Sequence, residues 1–262
     1  MTQNFLTDIV TKTQARIDQL PSLGELEKKQ PPELQHSFYQ AVAKAGLSLI
    51  AEVKAASPSK GVIRQHFEPL AIAEDFQQKG ARAVSVLTEP DYFLGKLDYL
   101  EKISQSIDLP TIRKDFILDK RQILEAKQVG ASAVLLIAAI LEKKDLAALF
   151  DYTHSLGMDA LIEIHHINEL EKLNGLNGVK LIGVNNRDLQ TFKTDTQQIF
   201  NCLPEIKKQF PEAKVIAESG YQDAEALDAL EAAGIDAVLI GEGLAVNQSL
   251  IDFFQKQIDH EN

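Results

Sequence analysis

The segment Leu49-Ile-Ala-Glu-Val-Lys54, which is followed directly by Ala55-Ala-Ser-Pro-Ser-Lys-Gly61, joins an apolar β-forming run to a small polar turn. Alternate side chains of a strand share a face, so Glu52 and Lys54 point the same way. Two charges on the inner face of a buried strand are costly unless they are paired or used. Ser and Gly in the turn suit an anion that is approached by backbone N–H groups. The segment therefore predicts a catalytic strand leading into an anion site, and the alternative is a strand with a surface ion pair and an ordinary loop.

The same unit, a short apolar run followed by an amphipathic segment, recurs along the chain. Several amphipathic segments end in glycine just before the next run, as at Gly130 and Gly234, which is typical of a helix C-terminus. The apolar runs are unbroken, as expected for parallel strands that are buried on both faces. They cover residues 47–54, 82–88, 109–114, 132–137, 159–164, 179–184, 213–218 and 235–240.

Eight strand–helix units in about 210 residues predict an α/β fold of the (β/α)8 TIM-barrel type. The rival is a doubly wound open sheet, which usually carries a glycine-rich dinucleotide-binding turn after its first strand. No such turn follows Lys54, so we favour the barrel.

The first 46 residues predict helices, because apolar side chains recur there at spacings near 3.6 residues. Pro21 ends the first helical run, and Pro31 with Pro32 suits the start of a second. We expect residues 1–262 to form a single domain, in which an N-terminal helical extension (1–46) packs across one end of the barrel (47–262).

Composition limits the possible partners. The net charge of −11 argues against a nucleic-acid partner, whereas a local basic pocket can still bind a phosphorylated small molecule. Cys202 is the only cysteine, which fits a reducing cytoplasm. The N-terminus lacks the features of a secretory signal, and the longest apolar run, 133–141, is too short to span a bilayer. We therefore expect a cytoplasmic protein with no membrane or nucleic-acid partner. No large exposed apolar face stands out, so we also expect a monomer.

The ends of the predicted strands carry the chemistry. In a TIM barrel the working residues lie at the carboxyl ends of the strands, where the βα loops open. Only the fourth strand ends in apolar residues, at 135–137. The convergence of the other ends on one mouth predicts an active site. In chain order these ends are Lys54, Thr88-Glu89, Lys114, Glu163, Asn185-Asn186-Arg187, Glu218-Ser219-Gly220 and Gly241-Glu242-Gly243.

Lys114 is the best candidate for a general acid. With Arg113 before it, Phe116 after it and other lysines near, we expect desolvation and like-charge repulsion to lower its pKa. The alternative is a solvated loop lysine. Glu163 lies inside the apolar run 160–164, where a glutamate is rarely buried without a partner. A proton shuttle is the preferred interpretation of Glu163, over a structural salt bridge.

The seventh and eighth loops predict a phosphate site, because their glycines let backbone amides approach an oxyanion and a short helix begins near Leu244. The alternative for the Gly-Glu-Gly sequence is a tight turn. Ser57 and Ser59 would close the site from the first loop. We expect no metal site, and we interpret His165 and His166 as loop residues that hold the backbone or face water.

Taken together, these segments resemble those of the indole-3-glycerol phosphate synthase family. They occur in family order, one per strand end, over residues 49–246, and the N-terminal helices resemble the family's extension, which closes over the substrate. The matching segments are AEVKAASPSKG (51–61), SVLTE (85–89) with Tyr92-Phe93, IRKDF (112–116), LIEIH (161–165), IGVNNRDL (182–189), AESG (217–220) and LIGE (239–242).

The resemblance implies a TIM barrel of tryptophan biosynthesis that needs no cofactor or metal. Such an enzyme converts 1-(2-carboxyphenylamino)-1-deoxyribulose 5-phosphate to indole-3-glycerol phosphate, releasing carbon dioxide and water. It implies that Lys114 is the general acid on the ribulose carbonyl and that Lys54 neutralises the substrate carboxylate and assists as an acid. It also implies proton transfer by Glu163 during dehydration, with Glu52 and Asn185 positioning charge and hydroxyls.

The resemblance further implies a binding shell around the substrate. Phe93, Phe116, Leu135 and Leu189 would wall the anthranilate ring, while Arg187 would tie the loops together. Substrate or its phosphate would be bound at Ser57, Ser219, Gly220, Gly241 and Glu242. The chain departs from the family pattern at Ala55, which replaces a basic residue, and at 243–245, where Gly-Leu-Ala replaces Ser-Leu-Met.

Two alternatives to this function stay open at the sequence level. A sister barrel enzyme, phosphoribosylanthranilate isomerase, would want a Cys and Asp acid–base pair at strand ends, but Cys202 lies in a helical segment. The other alternative is a barrel that only binds phosphorylated metabolites. The joint presence of Lys54, Lys114 and Glu163 argues against it.

Overall fold

A computed structural model describes residues 5–63, 66–189, 191–241 and 243–259. Within these ranges eight parallel strands form a closed barrel, each paired with the next in chain order and the last paired with the first. The predicted (β/α)8 barrel is therefore confirmed. The strands are β1 (Ser48–Val53), β2 (Ala83–Leu87), β3 (Thr111–Lys114), β4 (Ala133–Ile137), β5 (Asp159–Ile164), β6 (Leu181–Asn185), β7 (Lys214–Glu218) and β8 (Ala237–Ile240).

Helices cover the outside of the barrel and form the N-terminal arm. A short hairpin that pairs Ala56–Ser57 with Gly61–Val62 follows β1 and was not predicted. Single 3-10 segments, Ala138–Ile140 and Ile167–Leu173, follow β4 and β5. The α-helices are α1 (Phe5–Ile17), α2 (Leu23–Leu26), α3 (Phe38–Val42), α4 (Pro69–Gln78), α5 (Leu97–Ser104), α6 (Lys120–Gln128), α7 (Lys143–Ser155), α8 (Gln198–Gln209), α9 (Ala224–Ala232), α10 (Gly243–Val246) and α11 (Gln248–Asp259).

The glycines that punctuate the sequence end helices, as predicted. Gly130 follows α6 with φ of 91°, and Gly234 follows α9 with φ of 79°. A residue with a Cβ is strained in this left-handed region, whereas glycine reverses the chain there without steric cost. Each strand then begins two or three residues later, which keeps the αβ connections short.

The interior of the barrel changes from apolar to charged along the strands. Since every second side chain of a strand faces inward, a residue two positions beyond a core residue lies on the same inner face. On four strands an apolar inner residue is followed in this way by a charged one that lines the mouth. The pairs are Ile50 and Glu52, Ile112 and Lys114, Leu161 and Glu163, and Ile216 and Glu218.

Helix α1 packs at the carboxyl ends of the strands. Phe5 meets Tyr92 edge-to-face, with ring centroids 4.9 Å apart. Arg16 pairs with Asp91 and lies 3.4 Å from Glu89, both in the loop after β2. The predicted extension therefore covers the mouth of the barrel.

Helix α3 closes the opposite end. Phe38 and Val42 are fully buried in the apolar cluster inside the barrel. The Tyr39 backbone N–H and the Ser37 hydroxyl donate to the carboxylate of Asp159, the first residue of β5, at 2.9 and 3.1 Å. The N-terminal arm thus reaches both ends of the barrel, whereas the sequence predicted contact with one.

No helix in the described ranges combines the length and the apolar character that a membrane span needs.

Burial of Phe38 under the strands makes a stability prediction. Phe38→Ala should lower the free energy of unfolding by about 3–5 kcal/mol, because it leaves a cavity in the base of the barrel. Denaturant unfolding followed by circular dichroism measures this loss. Phe38→Leu, which keeps most of the apolar volume, is the matched control and should cost much less. If Phe38→Ala lowers the free energy of unfolding as little as Phe38→Leu does, then the N-terminal arm and the barrel do not share one apolar core.

Candidate active site

A cavity of about 430 Å³ opens at the carboxyl ends of the strands. It brings together predicted site residues from Glu52 to Gly241, which are 189 positions apart in the sequence, as the convergence of the strand ends predicted. The predicted site residues in its wall are Glu52, Lys54, Ser57, Phe93, Lys114, Phe116, Leu135, Glu163, Asn185, Arg187, Leu189, Ser219, Gly220 and Gly241.

Of the predicted site residues that the structure describes, one is not part of this wall. Ser59 lies outside it, and its hydroxyl instead accepts a hydrogen bond of 3.1 Å from the Arg187 guanidinium. This bond joins the first and sixth βα loops, which is the tie that was predicted for Arg187. Glu242 falls outside the described residues.

Lys114 is the centre of a buried charge cluster. Its Nζ lies 2.7 Å from Glu218 Oε2 and 3.3 Å from Glu163 Oε2. The three side chains come from β3, β7 and β5, and both carboxylates are almost fully buried. Neither contact is possible within one element of secondary structure, so the barrel itself assembles the cluster.

The pKa of Lys114 is raised, not lowered as the sequence suggested. Burial favours the neutral amine, but the attraction of Glu218, Glu163 and Glu52 outweighs it and raises the pKa above the ordinary value. The ammonium form therefore persists at neutral pH.

The expected like-charge neighbour of Lys114 faces the other way. Arg113 precedes it on the strand, so its side chain points out of the barrel towards the helices. There it pairs with Asp115 at 3.0 Å and with Glu125 of α6 at 3.2 Å. The prediction of a lowered pKa failed because it treated neighbours in sequence as neighbours in space.

Glu52 and Lys54 form the second ion pair of the mouth. Lys54 Nζ lies 2.5 Å from Glu52 Oε1, which confirms that the two side chains share the inner face of β1. Burial disfavours ionisation of Glu52, but Lys54 and then Lys114 attract its charge and lower its pKa overall. The pair stays charged beside the cavity.

Glu218 is the principal site residue to which the sequence analysis gave no role. Burial raises its pKa to about 7, an effect that Lys114 opposes and Glu163 reinforces. The pattern that could have identified it is the alternation in β7, because Glu218 follows the inward-facing Ile216 by two residues.

Gly183 makes room for the Glu218 carboxylate. A Cβ at this position of β6 would lie 2.2 Å from Glu218 Oε1 and 3.4 Å from Leu161 Cδ1. The absence of a side chain is therefore a requirement of the charge cluster.

One side of the cavity is aromatic and apolar. The rings of Phe93 and Phe116 lie 6.4 Å apart at 34°, next to Leu135. Phe5 of α1 and Phe192 of the loop after β6 add a second aromatic contact, with centroids 4.8 Å apart. These last two residues were missed, because nothing in their local sequence distinguishes them from ordinary apolar residues.

Glu89 holds the backbone that carries Phe93. Its buried carboxylate accepts the backbone N–H groups of Tyr92, Phe93 and Asp91 at 2.8, 3.1 and 3.0 Å. Arg16 of α1 lies 3.4 Å from the same carboxylate. The Glu89 carboxylate therefore holds a wall of the cavity in place and does not itself face the cavity.

The other side of the cavity is built from small residues. The Ser57 hydroxyl is buried and has no hydrogen-bond partner among the described residues. Ser219 and Gly220 adopt φ of 68° and 101°, and a Cβ on Gly220 would clash with the methyl groups of Thr194 and Thr196. Backbone amides in such a turn can approach an oxyanion closely. Lys60, which was also missed, adds a positive charge to this wall.

The structure places the two histidines in different surroundings. His166 is exposed, as expected, but His165 is buried beside Glu163. The interpretation of His165 as a residue that holds the backbone or faces water is therefore wrong, because its ring is buried and neither ring nitrogen makes a hydrogen bond within the described residues. Among the described residues no group of three or more His, Cys, Asp and Glu side chains could hold a metal ion.

A closed (β/α)8 barrel whose mouth combines a lysine–carboxylate cluster, an aromatic wall and a loop of small residues defines a TIM-barrel enzyme with an acid–base site. Residues 6–256 match the family model described as indole-3-glycerol phosphate synthase. The chain belongs to the indole-3-glycerol phosphate synthase family.

Curated relatives with that name support the assignment. The protein of Trichodesmium erythraeum is 44% identical over 250 residues, covering 92% of this chain and 84% of its own. The proteins of Aliarcobacter butzleri and Sulfurimonas denitrificans are 43% and 42% identical and cover 91% and 92% of this chain and 92% and 93% of their own. These relatives support the synthase over the isomerase and the binding-only barrel.

A solved structure shows the same fold in a more distant protein. The N-acetylmannosamine-6-phosphate 2-epimerase from Clostridium perfringens aligns with a TM-score of 0.62 at 16% identity, covering 89% of this chain and all of that chain. At this level of identity the likeness concerns the barrel alone.

The buried state of Glu218 predicts a dependence of stability on pH. Because its folded pKa of about 7 exceeds the ordinary 4.5, the folded protein binds more protons than the unfolded chain between these values. The contribution of Glu218 to the free energy of unfolding is therefore fully present below about pH 4.5 and is lost as the pH rises through about 7. Wild type should lose stability relative to Glu218→Gln over that interval, as measured by denaturant unfolding. A relative gain with rising pH would contradict the raised pKa.

Crowding at Gly183 predicts a loss of activity without a loss of fold. Gly183→Ala should displace the Glu218 carboxylate from Lys114 and lower kcat by about tenfold to a hundredfold, as misplaced catalytic groups do. Gly24→Ala is the control, because a Cβ there meets nothing within 4 Å. Steady-state kinetics and circular dichroism measure the two effects. Equal kcat in the two variants would show that the Glu218 position is not required.

Proposed function

We propose that this chain closes the indole ring of 1-(2-carboxyphenylamino)-1-deoxyribulose 5-phosphate, releasing carbon dioxide and water to form indole-3-glycerol phosphate. The observation that carries the proposal is the Lys114 ammonium, held between Glu163 and Glu218 in the wall of a cavity that is aromatic on one side and rich in small residues on the other. The aromatic ring of the substrate needs the apolar side, and its phosphate needs the side where small residues leave the backbone amides accessible.

Ring closure is assigned to Lys114 as general acid. When the anilino ring carbon attacks the ribulose carbonyl, a carbon–carbon bond forms and the carbonyl electron pair moves to oxygen. Lys114 donates a proton to that oxygen, which is a far stronger base than an amine. Its raised pKa keeps the proton in place until the alkoxide develops. Glu163 and Glu218 hold the ammonium in position.

Loss of carbon dioxide is assigned to the Lys54 side of the site. Ring closure leaves an iminium that is conjugated to the carbon bearing the carboxylate. Breaking the bond to the carboxylate sends its electron pair to the iminium nitrogen and releases carbon dioxide. Lys54 neutralises the carboxylate until that step and can assist as an acid, while Glu52, 2.5 Å from Lys54 Nζ, balances its charge.

Dehydration completes the aromatic ring. The ring carbon loses its hydroxyl as water when Lys54, which can assist as an acid, supplies a proton to it. The neighbouring carbon of the new ring loses a proton, and the electron pair of that C–H bond forms the double bond of the indole. Glu163 is the proton acceptor for this step. Asn185 Oδ1 accepts the backbone N–H of Arg187 at 3.0 Å, so its amide N–H groups can donate to a substrate hydroxyl.

Binding is divided between the two sides of the cavity. The apolar wall of Phe93, Phe116, Leu135 and Leu189 takes the anthranilate ring and holds it near the carbonyl carbon. The phosphate is assigned to the backbone amides and side chains at Ser57, Gly220, Gly241 and Glu242. Ser219 and the bonded pair Arg187 and Ser59 complete the substrate site.

The composition and contacts of the chain also support a proposal about its state in the cell. We propose a cytoplasmic monomer that needs no cofactor or metal and binds no nucleic acid. The net charge of −11 and the buried single thiol of Cys202 support this proposal. Arm and barrel act as one domain, since α1 and α3 pack on the two ends of the barrel.

The general-acid assignment is tested by substitution. Purified protein should convert the carboxyphenylamino substrate to an indole product detected by fluorescence. Lys114→Ala should lower kcat by about a hundredfold or more, because the developing alkoxide loses its proton donor. Lys144→Ala, at an exposed position of α7, is the matched control and should behave as wild type. Near-normal turnover by Lys114→Ala would remove Lys114 from this role, and inactive wild type would refute the proposed reaction.

A further inference from the structure

His165 is a buried histidine that the proposed reaction does not use. It follows β5 directly, and only 5% of its side chain is exposed. Neither ring nitrogen makes a hydrogen bond within the described residues. A buried polar group without a partner costs free energy, so its presence needs a physical reason.

The His165 ring lies beside the carboxylate of Glu163. His165 Nε2 lies 3.4 Å from Glu163 Oε1, while Lys114 Nζ lies 3.3 Å from Oε2 of the same carboxylate. Glu163 therefore stands between a cation and an imidazole, one on each oxygen. At 3.4 Å these two atoms are only slightly farther apart than in an ordinary hydrogen bond.

The backbone of His165 is fixed on both sides. Its N–H donates to Glu169 Oε2 at 2.8 Å, and its carbonyl oxygen accepts a hydrogen bond from the Gln198 side chain. These partners belong to the 3-10 segment Ile167–Leu173 and to α8. Because the main chain is anchored, the ring is held next to Glu163, and the rotation of the ring is the remaining adjustment.

Burial keeps the His165 ring neutral. Burial is the largest effect and lowers the pKa of His165, while Glu169 and Glu218 oppose it and Lys114 and His166 reinforce it. These groups come from the following 3-10 segment, β7, β3 and the adjacent position. A neutral imidazole that carries its proton on Nε2 can donate to a carboxylate without neutralising it.

We propose that His165 is a positioning residue, which donates its Nε2 proton to Glu163 Oε1 and so keeps that carboxylate directed towards Lys114. The inference rests on the proposed function, in which Glu163 accepts a proton during dehydration. His165 is not part of the cavity wall and acts only through Glu163. A hydrogen bond to one carboxylate oxygen fixes the orientation of the other, so the proton acceptor is in position before each turnover.

The test compares two substitutions of similar size. His165→Leu removes the donor and should lower kcat about tenfold, with KM changed less than about twofold. His165→Gln, whose amide N–H can reach the same oxygen, should restore most of kcat.

The kinetic result can overturn the inference directly. If the Leu and Gln variants lose kcat equally, His165 serves the packing of β5 alone. Unchanged kcat in His165→Leu would also overturn it. Urea unfolding of both variants shows whether a shared loss of activity comes from a shared loss of stability.

A readout that does not need turnover separates this inference from the reaction itself. Nitrogen NMR of the histidine rings, assigned by comparison with His165→Gln, should show His165 as neutral with its proton on Nε2 at pH 7. Glu163→Gln should shift that signal. The opposite tautomer, or no shift in Glu163→Gln, would refute the contact even in an active enzyme. Inactive wild type with the expected NMR result would instead refute the proposed reaction and leave the contact established.

Discussion

The site depends on the balance of charge between two lysines and three glutamates in a space closed to most water. Moving one of these charges alone out of water would cost several kcal/mol, which the fold could not sustain. Lys114 offsets this cost for Glu163 and Glu218, and Lys54 offsets it for Glu52. The same balance explains why Lys114 stays charged and why Glu218 is easily protonated. Structural stability and acid–base chemistry therefore rest on the same contacts.

The surrounding structure serves to hold this cluster next to the two surfaces that a substrate needs. Gly183 leaves space for a carboxylate, and Glu89 fixes the backbone that carries Phe93. Helix α1 contributes Phe5 to the aromatic side and anchors itself through Arg16. Phe5 lines the cavity itself, whereas Gly183, Glu89 and Arg16 support the cavity wall from outside it. They convert a barrel mouth, which many enzymes share, into a cavity of defined shape.

Much of the architecture could be predicted from local patterns. Strand positions followed from unbroken apolar runs, and the glycines at 130 and 234 ended helices as expected, because both signals depend only on neighbouring residues. The sequence motifs also located Lys54, Lys114, Glu163 and most of the cavity wall. What failed was the electrostatics of Lys114. Its expected neighbour Arg113 points out of the barrel, while the groups that set its pKa are 49 and 104 positions away.

The amino-acid sequence by itself determined the alternation of strands and helices, the residues that can face inward, and the family to which the chain belongs. Only the tertiary structure decided which charges meet. Glu218 joined Lys114, His165 came to lie beside Glu163 away from solvent, and Phe5 reached across the mouth to Phe192. The physical reason is that hydrogen bonding and helix capping act over a few residues. A pKa, by contrast, depends on every charge and every water molecule within a few ångströms, and closing the barrel brings those charges together from distant parts of the chain.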